Sequence, residues 1–329
     1  MSAVSMVELW RGGLLESVHA GHAVVFGPAG ILEAWGDPEA VIFPRSSCKM
    51  LQALPLMESG AADTAGLTDR QLALACASHQ GAQIHTQAVS AWLTDLGLGE
   101  PDLRCGAHMP ADRAANKLLT CSDTAPCQIH NNCSGKHAGF LTLTRHLHAG
   151  PDYVDLDHPV QKAVKTAFEE VTGETSPGHG IDGCSAPNFA TTVTGLARAM
   201  AFFAAANPEG GIRDRAAAHL TRAMTAFPEM VAGEGRACTN LMRAMGGRVA
   251  VKTGAEAVFV AILPDQKLGI ALKILDGATR ASEAAITALL VKYGALDATH
   301  PMVGKYLTDP QKNWRGLTTG EMRLAPGFA

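Results

Sequence analysis

Four short stretches of this chain carry side chains that could do chemistry at their spacing. The first is Pro44-Arg45-Ser46-Ser47-Cys48-Lys49. If a helix begins there, Ser46 and Lys49 are three residues apart and share a face. A serine hydroxyl becomes a nucleophile only when a neighbour takes its proton, and a lysine can do so if its pKa is lowered toward about 7–8. The same four residues also suit a serine N-cap followed by a solvated lysine. The second stretch, Lys252-Thr253-Gly254, would add another cation from a strand, with Gly254 letting a substrate backbone come close. The third, Cys76-Ala77-Ser78-His79-Gln80-Gly81, ends an apolar helix and offers Ser78 as a partner for Lys252; its plainer reading is a helix C-cap closed by Gly81. The fourth is Asn131-Asn132-Cys133-Ser134-Gly135-Lys136-His137. Together with Cys184, in Ile181-Asp182-Gly183-Cys184, its Cys133 could hold zinc, with His137 or another nitrogen as third ligand. Buried structural thiols are the alternative.

The elements that must position these groups follow from periodicity. Short strands with glycine turns fill the first 36 residues, at 7–10, 15–20, 23–26 and 31–35. Helical spacing then predicts helices at 46–58, 68–78, 84–97, 111–121, 135–147, 158–171, 188–205 and 213–226, the first kinked or ended early by Pro55. Strand patterning returns at 248–252, 256–263 and 268–275, followed by a helix at 280–293 and a Gly/Pro-punctuated tail. Strands at both chain ends must therefore meet in one mainly antiparallel sheet, an α+β architecture with an inserted helical region. The expected division is one domain with two lobes, a sheet lobe at about 1–45 and 247–329 and a helical lobe at about 46–246. The order S-x-x-K, helices, then K-T-G on a strand is that of serine β-lactamases and penicillin-binding proteins.

Bulk properties narrow the partners. Of 329 residues 47% are hydrophobic and 18% charged, with a formal net charge of -4, so no polybasic footprint for nucleic acid or a membrane surface is expected. No apolar run reaches the length of a membrane span, and the N-terminus does not read as a signal peptide, which points to the cytoplasm. In that reducing compartment the eight cysteines should be thiols, ligands or catalytic groups. Gly178-His179-Gly180-Ile181-Asp182-Gly183 matches a dinucleotide fingerprint but lacks its strand and helix. The pairs His19/His22 and His146/His148 lack a carboxylate or thiol neighbour.

With these segments placed, the chain resembles the Rhizobium etli-type L-asparaginases, the asparaginase II family. The matching stretches are Pro44 to Pro55, Cys76 to His79, Cys105 to His108, Asn131 to Leu141, Asp182 to Pro187, Val231 to Arg236 and Lys252 to Glu256. The resemblance implies a serine β-lactamase-like fold and hydrolysis of L-asparagine to aspartate and ammonia by a homodimer. It places two Ser-Lys tandems on Ser46 with Lys49 and on Ser78 with Lys252. It places zinc on Cys133, Lys136 and Cys184, substrate contacts on Arg45, Asp182 and His79, and Cys238 near the site. Gln80 and Ala82 depart from the common pattern, which bears on asparagine against glutamine; Met50 replaces a frequent proline. The rivals are a serine-dependent glutaminase, a penicillin-recognising protein that acylates without turnover, and a structural zinc protein.

Overall fold

The computed structural model describes residues 2–308 and 310–329. Two compact units divide the chain. One comprises 1–47, 191–205 and 240–329, and the other 48–190 and 206–239.

The first unit is built on an antiparallel sheet of eight strands among the described residues. Strands β1 (Val4–Arg11), β2 (Leu14–Gly27) and β3 (Gly30–Trp35) form a meander from the N-terminus. The long β2 joins the two chain ends: its first half pairs with β1, and its second half pairs with Leu268–Ile274 and β3. The sheet continues through Val258–Leu263 to Ala250–Gly254 on one side, and from β1 to Thr318–Leu324 and Gln311–Lys312 on the other. Strands from both ends of the chain thus share one sheet, as the patterning requires. Val258–Leu263 is buried at every position, which is why it reads as a continuous apolar run rather than an alternation. The helices Val193–Ala205 and Thr279–Lys292 pack on the sheet strands.

Four sequence readings change here. The stretches 15–20 and 23–26 are one strand, because each half has its own pairing partner and no turn intervenes. The tail supplies Thr318–Leu324, paired to β1 with Met322 opposite Leu9; only Met322 and Leu324 are apolar, so its strand signal is faint. Residues 191–205, assigned by sequence to the helical lobe, belong to the sheet unit. The expected helix at 188–205 begins only at Val193, because Thr191–Thr192 is extended and pairs with Val41–Ile42.

The second unit is helical. Helix α1 (Lys49–Glu58) is buried from Lys49 to Leu56 and packs against the helices Ser134–His146, Pro159–Thr172 and Ile212–Ala226. Pro55 lies inside α1, which nevertheless continues to Glu58. An interior proline costs about 3 kcal/mol, and burial of eight consecutive residues offsets it. The helix Asp69–Ala75 starts from a reciprocal capping box between Thr68 and Gln71. No helix among the described residues is long and apolar enough to cross a membrane.

Candidate active site

In the sheet unit the predicted nucleophile sits on a 3-10 turn, Arg45–Cys48, rather than on the first turn of an α-helix. Arg45 has φ +51°. A non-glycine residue in the left-handed region carries roughly 1–3 kcal/mol of strain, and such strain concentrates at functional positions. Ser46 is half-buried, whereas its neighbour Ser47 is fully buried and donates its hydroxyl to Pro44 O at 2.7 Å. Lys252 is 0% exposed on the strand Ala250–Gly254, and its Nζ donates to Thr253 O at 2.7 Å. The end of that strand packs on the serine turn. A Cβ at Gly254 would lie 2.6 Å from Pro44 O and 3.0 Å from Ser47 N. Gly254 therefore admits the turn that carries Ser46.

In the helical unit the remaining predicted groups gather around the N-terminus of Ser134–His146. Cys133 is its N-cap residue, with the backbone N–H held by Asn131 Oδ1 at 2.9 Å. Gly135 lets this helix lie directly on Asp69–Ala75, since a Cβ there would come within 2.4 Å of Leu74 O. That contact brings the helix start against the segment ending in Ser78. Lys49, buried at the head of α1, donates to Ala77 O and lies 3.1 Å from Cys133 Sγ. Lys136 Nζ lies 3.1 Å from Cys184 Sγ and 5.3 Å from the centroid of the Phe140 ring. Cys184 is buried in a loop closed by the bond from Asp182 N to Ala186 O, next to Ser185 at φ +68°.

The electrostatics of this cluster are those of a buried thiolate–ammonium group. A hydrogen bond from Cys133 holds the Cys184 thiol well below its ordinary range, and the Lys136 cation adds to the effect against burial. The same bond, with burial, pushes Cys133 up to about 12. Burial opposes the charge on Lys136, but the neighbouring sulfurs outweigh it and raise the amine's pKa. Cys105 is buried beside both sulfurs as a thiol, raised by burial to about 12. Its loop is fastened by Asn131 Nδ2 to the carbonyls of Cys105 and Gly106 at 2.8 and 2.9 Å.

Two of the predicted histidines are engaged by neighbours inside the fold. His79 is 1% exposed, accepts from Gly81 N at 3.1 Å on Nδ1 and meets Ser134 Oγ at 3.0 Å through Nε2. Ser134 Oγ donates to Ile129 O, so His79 Nε2 must be the donor toward it. Both nitrogens are used inside the fold, where His79 fastens the segment that carries Ser78. His137, a possible third ligand by spacing, faces Tyr153, whose hydroxyl lies 2.8 Å from Nδ1. It lies one helical position beyond Lys136, about 100° round the axis.

The model of one protein family, L-asparaginase II, matches residues 7–324. The chain belongs to the L-asparaginase II family. It is accordingly an asparaginase-type amidohydrolase. Among curated proteins none matches the chain significantly. Solved structures give distant likenesses. A β-lactamase from Mycobacterium bovis has a TM-score of 0.45 and 16% identity over 83% of this chain and 94% of that one. A β-lactamase from Sulfitobacter sp. EE-36 has a TM-score of 0.42 and 15% identity over 83% and 93%. A protein named Mglu in its glutamate form has a TM-score of 0.46 and 14% identity over 84% of this chain and 61% of its own length. The family assignment rests on the sequence match alone.

For a member of this family, the placement of the predicted residues is informative within each unit. The sheet unit brings the Lys252-Thr253-Gly254 strand to the turn of Arg45 and Ser46. The helical unit brings Lys49, Cys133, Lys136 and Cys184 together, with Ala77 tying Lys49 to the Ser78 segment. Sequence reasoning treated the S-x-x-K lysine and the cysteine pair as separate devices, whereas Lys49 touches both Cys133 and Ala77. Cys105 was missed as a neighbour of the thiols. Its loop is fastened by the side chains of Asn131 and Gln128, close in sequence to Cys133.

The donor set suits a metal such as zinc in kind. Two sulfurs and one amine are buried together, and thiolates are ligands that Zn²⁺ favours. Among the described residues no group of three or more His, Cys, Asp and Glu side chains forms a metal site. A site at this cluster would therefore need Lys136 as its third protein donor.

Proposed function

We propose that this chain is an L-asparaginase of the Rhizobium etli type that hydrolyses L-asparagine to L-aspartate and ammonia. The observation that carries the reading is the burial of two lysines, Lys49 and Lys252, each fastened to a segment that bears a serine. In this scheme Ser46 Oγ attacks the side-chain amide carbon and Lys49 takes its proton. The C–N bond breaks and ammonia leaves with a proton, after which water hydrolyses the acyl-serine to aspartate. Ser78 and Lys252 polarise the carbonyl or relay protons. Arg45 and Asp182, both partly exposed, carry the charges that an α-carboxylate and an α-ammonium require.

Cys133, Lys136 and Cys184 are the residues that would hold zinc, which when bound would supply positive charge that fixes the Asp182 loop. Lys136 is held protonated by the neighbouring thiolate, so loading must displace that proton and becomes favourable as pH rises. By the same reading the enzyme works as a cytoplasmic homodimer, which size-exclusion chromatography with light scattering tests.

The deciding experiment is ammonia release from L-asparagine and L-glutamine, with and without added zinc. Turnover of asparagine well above glutamine supports the proposal, and the reverse order replaces it with a glutaminase. A stable covalent adduct with a β-lactam and no ammonia release from either amide would overturn both.

A further inference from the structure

The helical unit holds a groove of about 650 Å³ that none of the candidate serines, lysines or thiols lines. One wall is the helix Ile212–Ala226, which presents Arg215, His219 and Arg222 at helical spacing. The other wall contains Met57, Glu58 and Asp63.

Most of these charges are already satisfied. Glu58 accepts from Arg213 at 2.6 Å. Asp69 holds His219 at 2.6 Å and Arg222 at 3.5 Å. Asp63 and Arg215 stand apart: among the described residues neither enters an ion pair, with each other or with any other group. Arg215, which lines the groove, donates Nη1 to Gly210 O at 2.7 Å, and that bond anchors the guanidinium. One concave surface therefore presents a carboxylate and a guanidinium that do not neutralise one another. Beside them Ile212 is 59% exposed and Met57 adds apolar surface.

We propose that this groove binds a free α-amino acid with an aliphatic side chain. Its ammonium meets Asp63, its carboxylate meets Arg215, and its side chain covers Ile212 and Met57. Charge-assisted hydrogen bonds at both ends select the zwitterion, and the volume falls within the roughly 300–1,000 Å³ usual for small-molecule sites. A peptide supplies only one of the two charges at any one residue, so it fits less well. With no candidate catalytic group in the groove, the ligand is held and not turned over.

L-leucine tests this, because it has no side-chain amide and so probes the groove independently of asparagine hydrolysis. Saturation-transfer NMR on the full chain should show saturable binding. N-acetyl-L-leucine, which lacks the ammonium, and L-leucinamide, which lacks the carboxylate, should each bind about ten-fold more weakly. Asp63→Asn should lose the preference for leucine over N-acetyl-leucine, and Arg215→Gln the preference over leucinamide. Both side chains are solvent-facing, and an unchanged thermal transition confirms that the variants fold. Leucine binding unaltered in Ser46→Ala completes the expected pattern. No saturable binding, binding that survives in both groove variants, or binding abolished by Ser46→Ala would overturn the proposal.

Discussion

The two regions that carry the candidate chemistry solve opposite problems. The serine turn of the sheet unit is partly open and strained. Arg45 takes a left-handed backbone, and Ser46 is left half-buried beside a fully buried Ser47. The thiol–amine cluster of the helical unit is closed, with Cys133 at 4% exposure and Lys136 and Cys184 at 3% each. There the charges balance one another in a dry setting, so each is worth more than in water. A group that must react with an incoming amide has to be presented, even at a cost in stability. A group that organises its surroundings can be sealed. Substitutions should therefore separate cleanly, with activity failing in the first region and stability in the second.

The largest expected effect is on turnover. Ser46→Ala should lower kcat by about 10³-fold or more, as loss of a nucleophile does, while shifting unfolding free energy by less than about 0.5 kcal/mol because the side chain is half exposed. Steady-state ammonia release and urea titration measure the two. Retained activity in Ser46→Ala together with Ser78→Ala would remove both serines from the mechanism and dissolve the contrast.

Next comes the sealed cluster. Cys184→Ala leaves the Lys136 ammonium buried without its thiolate, and removing one partner of a buried pair costs about 3–5 kcal/mol. Urea unfolding in the presence of a chelator reads this without any contribution from metal. The double variant Cys184→Ala/Lys136→Met should recover much of the loss, since it removes the stranded charge as well. If the double variant is as unstable as the single one, packing rather than charge balance holds the cluster.

How far these regions could be read from sequence follows the same division. The serine, both lysines and the two candidate cysteines sit in contiguous motifs, and the sheet drawn from both chain ends was visible because its strands are apolar runs between glycine turns. What stayed hidden depends on contacts between distant segments. Lys49 bridging Ala77 and Cys133 spans 28 and 84 residues, and no local pattern encodes it. The strand Thr318–Leu324 was hidden for a related reason, since pairing to β1 rather than its own composition makes it extended. The bond between His79 and Ser134 was hidden likewise, since it spans 55 residues.

A smaller effect joins the serine turn to its strand. Gly254→Ala would press a methyl group onto Pro44 O at 2.6 Å and Ser47 N at 3.0 Å, both of them backbone atoms. Overpacking of this kind costs about 1–3 kcal/mol, and the displaced turn carries Ser46 with it. Unlike Ser46→Ala, this variant should lose both stability and kcat. Loss of neither would mean that the turn and the strand move independently.

The effect smallest per single substitution is a pH dependence that belongs to the helical unit. His79 and His85 stack at 4.8 Å with their rings 9° from parallel. Burial, and then the neighbouring imidazole, holds His79 well below its ordinary pKa. Burial likewise lowers His85, against its hydrogen bond to Glu229 O. A histidine depressed in the folded state takes up a proton more readily when unfolded. Its stabilising contribution is therefore full above the unfolded value of about 6.5 and is lost as pH falls below it. Each depressed histidine adds a slope of up to about 1.4 kcal/mol per pH unit in that range. Unfolding free energy measured by urea titration between about pH 7 and 5 should fall accordingly, and His85→Gln should reduce the slope by up to one histidine's share. Ser46→Ala should leave it unchanged, because the serine turn contains no titrating histidine. A slope that survives in both His85→Gln and His79→Gln would assign the acid sensitivity to another site.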